Sequence, residues 1–258
     1  MSGEPVALLV SQPSGTLVSL VRALAELESA GLPRHALIGG VAVMVRLSQA
    51  HRATQDLDEV VEPSSPTAAV LIAGPGTVEH RAETAGGVRV DLISVGDRDL
   101  RSLRASDLPD HDDERLFALA HDFALRSAEP ALIRVIDRDG GVLVESPSPV
   151  ATAAALFATK LQSAPRRSGP TQAKRGSDIY DAFLLLDQLG PVAVADALRK
   201  APHDLAPLTG DLAARLLGDQ AERTLRWTTQ AGVDTAAAGM TAAALRALAE
   251  ELVAALRS

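Results

Sequence analysis

Two aspartates near the start of an apolar stretch are spaced to bind a metal ion together. The chain reads Asp56-Leu57-Asp58 there. Because side chains alternate along a strand, both carboxylates would project from one face, about 7 Å apart along the backbone. Gly39 and Gly40 come earlier, at a turn that opens a helix, where free N–H groups and the helix dipole favour phosphate. The sequence therefore predicts a metal site beside a phosphate site.

A third carboxylate, Asp91, lies in the middle of a second apolar stretch that alternates like a strand. An acid in such surroundings carries a large desolvation cost and needs a counter-ion. Three carboxylates from two strands are typical of enzymes that hold two divalent ions roughly 3.5–4 Å apart for phosphoryl or nucleotidyl transfer. Oxygen ligands favour Mg²⁺ or Mn²⁺ over zinc. The alternative interpretation is that the acids lie on a solvated strand edge.

Residues 160–177 carry five basic residues and no acidic one, in a chain whose formal net charge is −8. The prolines and glycines of this segment predict a loop, which would bring the charges onto a triphosphate or an RNA end. A solvated loop between domains is the alternative. A further alternative is expected for three of the candidate residues: Lys160 as a surface lysine, and Asp178 and Asp181 in the first turn of a helix that Ser177 caps. The basic residues are Lys160, Arg166, Arg167, Lys174 and Arg175.

The elements that must position these residues follow from hydrophobic periodicity and from glycine and proline positions. Predicted helices cover residues 16–30, 41–47, 113–127 and 241–257, and predicted strands cover residues 35–38, 56–62 and 88–95, with a hairpin at 132–136 and 142–145. Ser146-Pro147-Ser148-Pro149 interrupts the pattern, and only helices are predicted after it. The expected fold is therefore α+β. A mixed sheet with flanking helices occupies residues 1–146, and a helical domain occupies residues 147–258.

Composition excludes several classes of protein. The 258 residues are 47% hydrophobic, which predicts a folded domain with a substantial core. The chain has no cysteine, so thiolate chemistry is excluded and a cytoplasmic location is expected. No apolar run is long enough to cross a membrane. His121 lacks partner histidines and is expected to be exposed or to cap a helix, and Trp227 is expected in the core.

The motifs resemble those of a known family. Residues 37–43 (LIGGVAV) and 52–58 (RATQDLD) are similar to the Gly-Gly-x-Ala…Arg-x-Thr-x-Asp-x-Asp motif of nucleotidyltransferases, and among them to the AbiEii-type abortive-infection toxins. Residues 158–167 and 178–185 resemble the Lys-Leu-x-Ala…Arg…Lys/Arg-Asp-Leu-Tyr-Asp-Leu signature of the same family, with Ser177 at the position of the basic residue. The resemblance covers roughly residues 15–190.

The resemblance implies specific roles. Asp56 and Asp58 would bind metal, Asp91 would be the third acid, and Lys160 and Asp178 would complete the catalytic set. The expected nucleotide-binding residues are Gly39, Gly40, Arg52, Thr54, Arg167, Lys174 and Arg175. Of these, Arg52 and Thr54 are expected mainly to orient the carboxylates.

The implied reaction transfers NMP from an NTP, with Mg²⁺ or Mn²⁺, to the 3′ end of tRNA, and the implied biological role is that of a toxin with a cognate antitoxin. Two alternatives stay open. In the first, the acceptor is a small molecule or a protein hydroxyl, which the acidic net charge favours. In the second, the chain is an inactive nucleotide-binding or partner-binding module on the same fold.

Overall fold

The structure, a computed structural model, describes residues 5–31, 34–62, 79–84, 86–94, 112–202 and 204–258. The chain forms two compact units. The sheet unit comprises residues 1–97 and 124–152, and the helical unit comprises residues 98–123 and 153–258. The first contains a mixed sheet with helices and the second is built from helices, so the expected α+β class is confirmed.

Seven strands of the described chain form one sheet in the order β1-β6-β7-β2-β3-β5-β4. Three neighbouring pairs are parallel, namely β1 with β6, β7 with β2, and β3 with β5, and the other three pairs are antiparallel. The predicted adjacency of the two acid-bearing strands, β3 and β5, and the predicted hairpin β6–β7 are both confirmed. The strands are β1 (Val6–Val10), β2 (His35–Ile38), β3 (Asp56–Val61), β4 (Glu79–Glu83), β5 (Arg89–Ser94), β6 (Glu129–Ile136) and β7 (Val142–Val150).

Two helices of the sheet unit follow directly from the apolar pattern. Helix α1 (Thr16–Ser29) packs its apolar stripe against β6 and β7. Helix α2 (Gly39–Leu47) begins at the residue that follows β2, and its first seven residues are all buried. Its last turn is tied to the end of β7, because Arg46 Nε donates to the Ala151 carbonyl oxygen over 2.8 Å. The glycine turn is thereby fixed in the centre of the sheet unit.

The predicted domain boundary near residue 147 falls inside a strand. Ser146-Pro147-Ser148-Pro149 was expected to interrupt the pattern, yet β7 runs through it to Val150. The strand tolerates two prolines because β7 pairs along its length with β6, whereas its only register pair with β2 is at Val150. On the β2 side of the strand, no hydrogen-bond ladder needs the N–H groups that Pro147 and Pro149 lack.

The helical unit also differs from the prediction at residues 160–177. Helix α4 continues to Arg166 and α5 begins at Gln172, with a 3₁₀ turn at Gly169–Thr171 between them. The expected cap at Ser177 is therefore wrong, since this residue lies inside α5. The described helices of this unit are α3 (Asp112–Arg126, whose last three residues belong to the sheet unit), α4 (Ala153–Arg166), α5 (Gln172–Leu189), α6 (Pro191–Arg199), α7 (Leu205–Ala213), α8 (Ala221–Gln230) and α9 (Ala242–Arg257), with a π-helical segment at Ala214–Asp219.

Two side-chain predictions need correction. His121 is buried rather than exposed, and a ring nitrogen lies 2.8 Å from the Phe117 carbonyl oxygen. Burial lowers the pKa of His121 to about 4, and the positive charge of Arg166 adds to this effect. Trp227 is only half-buried, and the guanidinium groups of Arg175 and Arg223 lie over its ring. Among the described residues, none of the helices has the length and apolar character needed to cross a bilayer.

Candidate active site

Strand register brings the predicted acids to one face of the sheet. In the parallel pair β3–β5, Asp58 lies directly opposite Asp91, and Asp56 lies opposite Arg89. Opposed residues of neighbouring strands have backbones about 5 Å apart and side chains on the same face. Asp56 and Asp58 are two residues apart on β3, so they share that face. The sheet therefore places Asp56, Asp58 and Asp91 on one face, as predicted. Arg89, which was not predicted, lies on the same face.

That arginine holds the third acid. Arg89 Nε donates to Asp91 Oδ1 over 2.9 Å, and Arg89 Nη2 donates to Asp91 Oδ2, so both carboxylate oxygens bind one guanidinium. The pKa of Arg89 is raised, chiefly by this hydrogen bond, and the negative charges of Asp91, Asp56 and Asp58 add to the shift. All three carboxylates therefore stabilise the positive charge of the Arg89 guanidinium.

The glycine pair lies against this cluster. Gly39 has φ of 74°, and a Cβ added there would overlap Asp58 Oδ2 and lie 2.7 Å from Asp58 Cγ. A Cβ added at Gly40 would instead meet the guanidinium of Arg52, whose Nη1 donates to the Ala53 carbonyl oxygen over 3.1 Å. The absence of side chains thus lets the N-terminus of α2 approach both an acid and an arginine.

Thr54 has a modest supporting contact. Its Oγ1 donates to Asp56 Oδ1 over 3.5 Å, at the long limit for a hydrogen bond. Thr54 is thus close enough to orient Asp56, the first of the predicted metal-binding acids. This position agrees with the expected orienting role, which stays a prediction.

The acids have the right chemistry for a divalent metal, although a cation of the chain is already present. Carboxylate oxygens are the ligands that Mg²⁺ and Mn²⁺ prefer, and the three acids share one face beside the start of α2. Within the described ranges, however, no group of three or more His, Cys, Asp or Glu side chains is arranged closely enough to hold a metal ion. Arg89 supplies positive charge to Asp91 in this arrangement.

The helical unit brings a second set of predicted residues together. Lys160 of α4 is 6% exposed, and its Nζ lies 3.0 Å from Asp178 Oδ1 and 2.9 Å from Asp181 Oδ2, both on α5. Arg167 Nε and Ser163 Oγ each donate to Asp178 Oδ2 over 3.0 Å. Asp181, expected in a first helical turn, is completely buried in this network. The network links two helices through charge-assisted hydrogen bonds.

The remaining predicted basic residues lie near the start of α5. Arg175 Nε donates to the Ala164 carbonyl oxygen over 3.2 Å, and Arg175 Nη2 donates to that of Arg167. The Arg175 guanidinium also lies 4.6 Å from the centre of the Trp227 ring. Lys174 precedes it and is half-buried. Arg175 therefore fastens the short connection between α4 and α5 to the helices around it.

A buried acid on the opposite face of β3 was not predicted. Glu59 is 1% exposed, and neither carboxyl oxygen has a hydrogen-bond partner in the described part of the chain. Burial raises the pKa of Glu59 to about 8, against the opposing effect of the nearby His35. The carboxyl group is therefore mostly protonated at neutral pH.

One of the two residues that the sequence analysis missed, Arg89, could have been found from its spacing. Arg89 stands two positions before Asp91, which places both on one face of a strand, just as the same spacing places Asp56 beside Asp58. The role of Glu59 had no comparable signal. In the sequence it is one more acid in Asp56-Leu57-Asp58-Glu59, and only the sheet shows that it points into the core.

Comparison with known proteins places the chain in a family. The model of the nucleotidyl transferase AbiEii toxin family, from type IV toxin–antitoxin systems, matches residues 22–255. A crystal structure of an antigenic nucleotidyltransferase-like protein from Paracoccidioides brasiliensis matches with 16% identity and a TM-score of 0.40, over 83% of this chain and 93% of that chain. No curated protein matches the chain. Since the family model spans most of the sequence, the chain belongs to the AbiEii family and is a nucleotidyltransferase.

Proposed function

We propose that this protein is a divalent-metal-dependent nucleotidyltransferase that transfers NMP from an NTP to the 3′-terminal hydroxyl of tRNA. The observation that carries the metal-dependent part is the register of β3 and β5. It sets Asp58 beside Asp91, with Asp56 on the same face and the N-terminus of α2 next to them. Acids beside a glycine turn suit a reaction in which a polyphosphate and its counter-ions must be bound together.

In this proposal Asp56, Asp58 and Asp91 hold Mg²⁺ or Mn²⁺. The ions would neutralise the charge that develops on the phosphates and on the pyrophosphate leaving group. The protein itself supplies the fixed face from which the three carboxylates project. Thr54 lies within hydrogen-bond reach of Asp56 and restricts the orientation of that carboxylate.

The proposed phosphate contacts lie at the start of α2. The first N–H groups of a helix have no partner within it, and the helix dipole adds positive potential there. Because Gly39 and Gly40 have no side chains, this backbone comes close to the Asp58 carboxylate and the Arg52 guanidinium, so a phosphate bound here would lie beside the proposed metal-binding acids. Arg52, whose guanidinium lies against Gly40, adds a positive charge at the same place.

The helical unit has a less direct part in the proposal. Lys160 and Asp178 were predicted to be catalytic, with Arg167, Lys174 and Arg175 binding nucleotide. These roles stay predictions. Because the Lys160 ammonium binds two buried carboxylates, the role we favour for Lys160 and Asp178 is to fix α4 against α5. Arg167 is more exposed than Lys160, the other basic residue described here in contact with Asp178, and it is the strongest candidate for a phosphate contact.

The acceptor and the partner are proposed from the family. A toxin of a type IV system has an antitoxin partner, and modification of tRNA is the toxic activity we propose here. The net charge of −8 favours a smaller acceptor or a protein hydroxyl over an extended RNA surface. A tRNA 3′ end needs only a local positive site, so it stays the leading acceptor. The cytoplasmic location also stays a prediction.

The test is to incubate the purified protein with Mg²⁺, each labelled NTP and total tRNA. Label in tRNA is the expected result. Label in protein or in an added small hydroxylated acceptor would instead support the alternative substrates. Nucleotide binding without transfer to any of these acceptors would indicate an inactive module.

Two variants make the test specific to the proposed metal site. Asp58→Asn should abolish transfer, because it removes a central metal-binding carboxylate. Asp139→Asn is the matched control, since Asp139 is an exposed acid in the β6–β7 turn of the same unit. If Asp58→Asn transferred label as well as the Asp139→Asn protein, the metal assignment would be wrong.

A further inference from the structure

Arg89 is placed where a metal-binding face would ordinarily have a bound cation. It lies two residues before Asp91 on β5, and its guanidinium binds both oxygens of that carboxylate. The Asp91 side chain is 14% exposed, and the Arg89 side chain is 43% exposed. The acid is thus largely enclosed, while the arginine reaches it from the solvent side.

The other acids place this ion pair in a special setting. Asp56 is the register partner of Arg89, and Asp58 is the register partner of Asp91, so the guanidinium lies among three carboxylates on one face. Like charges so close repel one another unless a cation lies among them. An isolated pair on a protein surface would have no such role.

Arg89 and a metal ion would compete for the negative charge of Asp91. Both oxygens of this carboxylate already accept hydrogen bonds from the guanidinium, so a metal ion bound to a remaining lone pair would lie beside a second positive charge. The bidentate fork of arginine fits a carboxylate better than a lysine ammonium would. The ion pair with Arg89 therefore opposes metal binding to Asp91.

We propose that Arg89 is an internal counter-cation of the acidic face and that it competes with the divalent ion for Asp91. This inference rests on the proposed function, because it assumes that Asp56, Asp58 and Asp91 bind metal. Arg89 would stabilise the metal-free sheet unit and would weaken metal binding by holding part of the population in the paired state. Its half-exposed side chain has room to swing into solvent once the pair opens.

The test is a calorimetric titration of the nucleotide-free protein with Mn²⁺. Arg89→Gln should bind Mn²⁺ about fivefold more tightly than wild type, the factor expected for loss of one partly exposed ion pair. Arg89→Lys keeps the charge and loses the fork, so its affinity should lie between the two. Arg134→Gln is the matched control. It removes an arginine paired with Glu145 in the same unit, away from the acids, and should bind like wild type.

Thermal melting gives a second measurement that does not depend on catalysis. In chelator, Arg89→Gln should melt below wild type, because the largely enclosed Asp91 has lost the guanidinium that it pairs with. Added Mn²⁺ should raise the melting temperature of Arg89→Gln more than that of wild type. If Arg89→Gln does not fold, the same two comparisons are made with Arg89→Lys.

The outcomes separate the inference from the proposed function. Wild type that binds Mn²⁺, with Arg89→Gln and Arg89→Lys binding equally or more weakly, overturns the inference and leaves the metal site standing. Asp58→Asn that binds Mn²⁺ as tightly as wild type overturns the proposed metal site, and the inference with it. Tighter binding in Arg89→Gln that Arg134→Gln does not share supports both.

Discussion

At the scale of single residues, Gly39 is the position where backbone and site chemistry meet most closely. Its φ of 74° lies in the left-handed region, and an added Cβ would overlap the Asp58 carboxylate. Position 39 therefore favours glycine for two reasons: the left-handed backbone conformation, and the Asp58 carboxylate that lies against it. At Gly40 an added Cβ would meet only the mobile end of Arg52, which can move aside.

We predict that Gly39→Ala lowers both stability and metal affinity. The left-handed backbone costs about 1–2 kcal/mol for alanine, and displacing Asp58 should bring the total loss of unfolding free energy to about 3 kcal/mol. Chemical denaturation measures the first effect and Mn²⁺ titration the second. Mn²⁺ affinity should fall at least as clearly as stability, because the displaced group is a proposed ligand.

Gly140→Ala is the matched control for that experiment. Gly140 lies in the β6–β7 turn with φ of 86°, and an added Cβ there would meet nothing within 4 Å. This variant should show the backbone cost alone and should bind Mn²⁺ normally. Equal losses in the two alanine variants would show that the contact between Gly39 and Asp58 has no energetic role.

The three acids could be predicted from the sequence because strand alternation determines faces without reference to the rest of the fold. The partner of Asp91 could not be fixed in the same way. A buried acid needs some cation, and the sequence alone does not show whether that cation is a metal ion or a nearby arginine such as Arg89. The choice depends on side-chain reach within the folded sheet.

At the scale of helices and strands, the segment 160–177 shows why proline and glycine can mislead. Pro165 lies in the last turn of α4, where the helix ends one residue later. Gly176 lies inside α5, and a Cβ added there would overlap the Trp227 carbonyl oxygen of α8. This glycine allows two helices to approach closely and does not mark a loop. Such a requirement comes from tertiary packing and leaves no local signal.

The contact between α4 and α5 gives a prediction for Lys160. Replacing Lys160 with methionine leaves Asp178 and Asp181 buried without their shared cation. Loss of one partner from a buried ion network costs about 3–5 kcal/mol, so Lys160→Met should melt at a clearly lower temperature. Differential scanning calorimetry checks this expectation.

Lys200→Met is the control for Lys160. Lys200 is exposed at the end of α6, in the same unit, and its replacement should leave the melting temperature unchanged. NTP titration of both variants separates the two roles considered for Lys160. A Lys160→Met protein of normal stability and reduced NTP affinity would favour the direct phosphate contact over the helix-linking role.

At the scale of the whole molecule, the division into units does not follow a single cut in the sequence. Residues 98–123 belong with the helical unit, and residues 124–152 return to the sheet unit. A boundary drawn from composition assumes that each domain is continuous, so it cannot reproduce an arrangement in which the chain leaves a unit and comes back. The β6–β7 hairpin, its return segment, was nonetheless predicted from its apolar runs and glycine turn.

Two buried groups, one in each unit, give the stability of the molecule opposite responses to pH. The pKa of His121 falls from 6.5 to about 4 on folding, so the unfolded chain binds more protons between these values and stability rises with pH there. The pKa of Glu59 rises from 4.5 to about 8, so the folded protein binds more protons and stability falls as pH rises through this range. Between about pH 4.5 and 6.5 the two effects oppose each other.

Above pH 6.5 only the Glu59 effect continues, which makes pH 6.5–8 the decisive window. We predict that Glu59→Gln removes a fall in unfolding free energy of up to about 1.4 kcal/mol per pH unit in that window, because glutamine has no proton to lose. Melting temperatures of wild type and Glu59→Gln, measured from pH 6 to pH 9, should therefore diverge as pH rises. Parallel curves would mean that the Glu59 carboxylate gains solvent or a cation when it ionises.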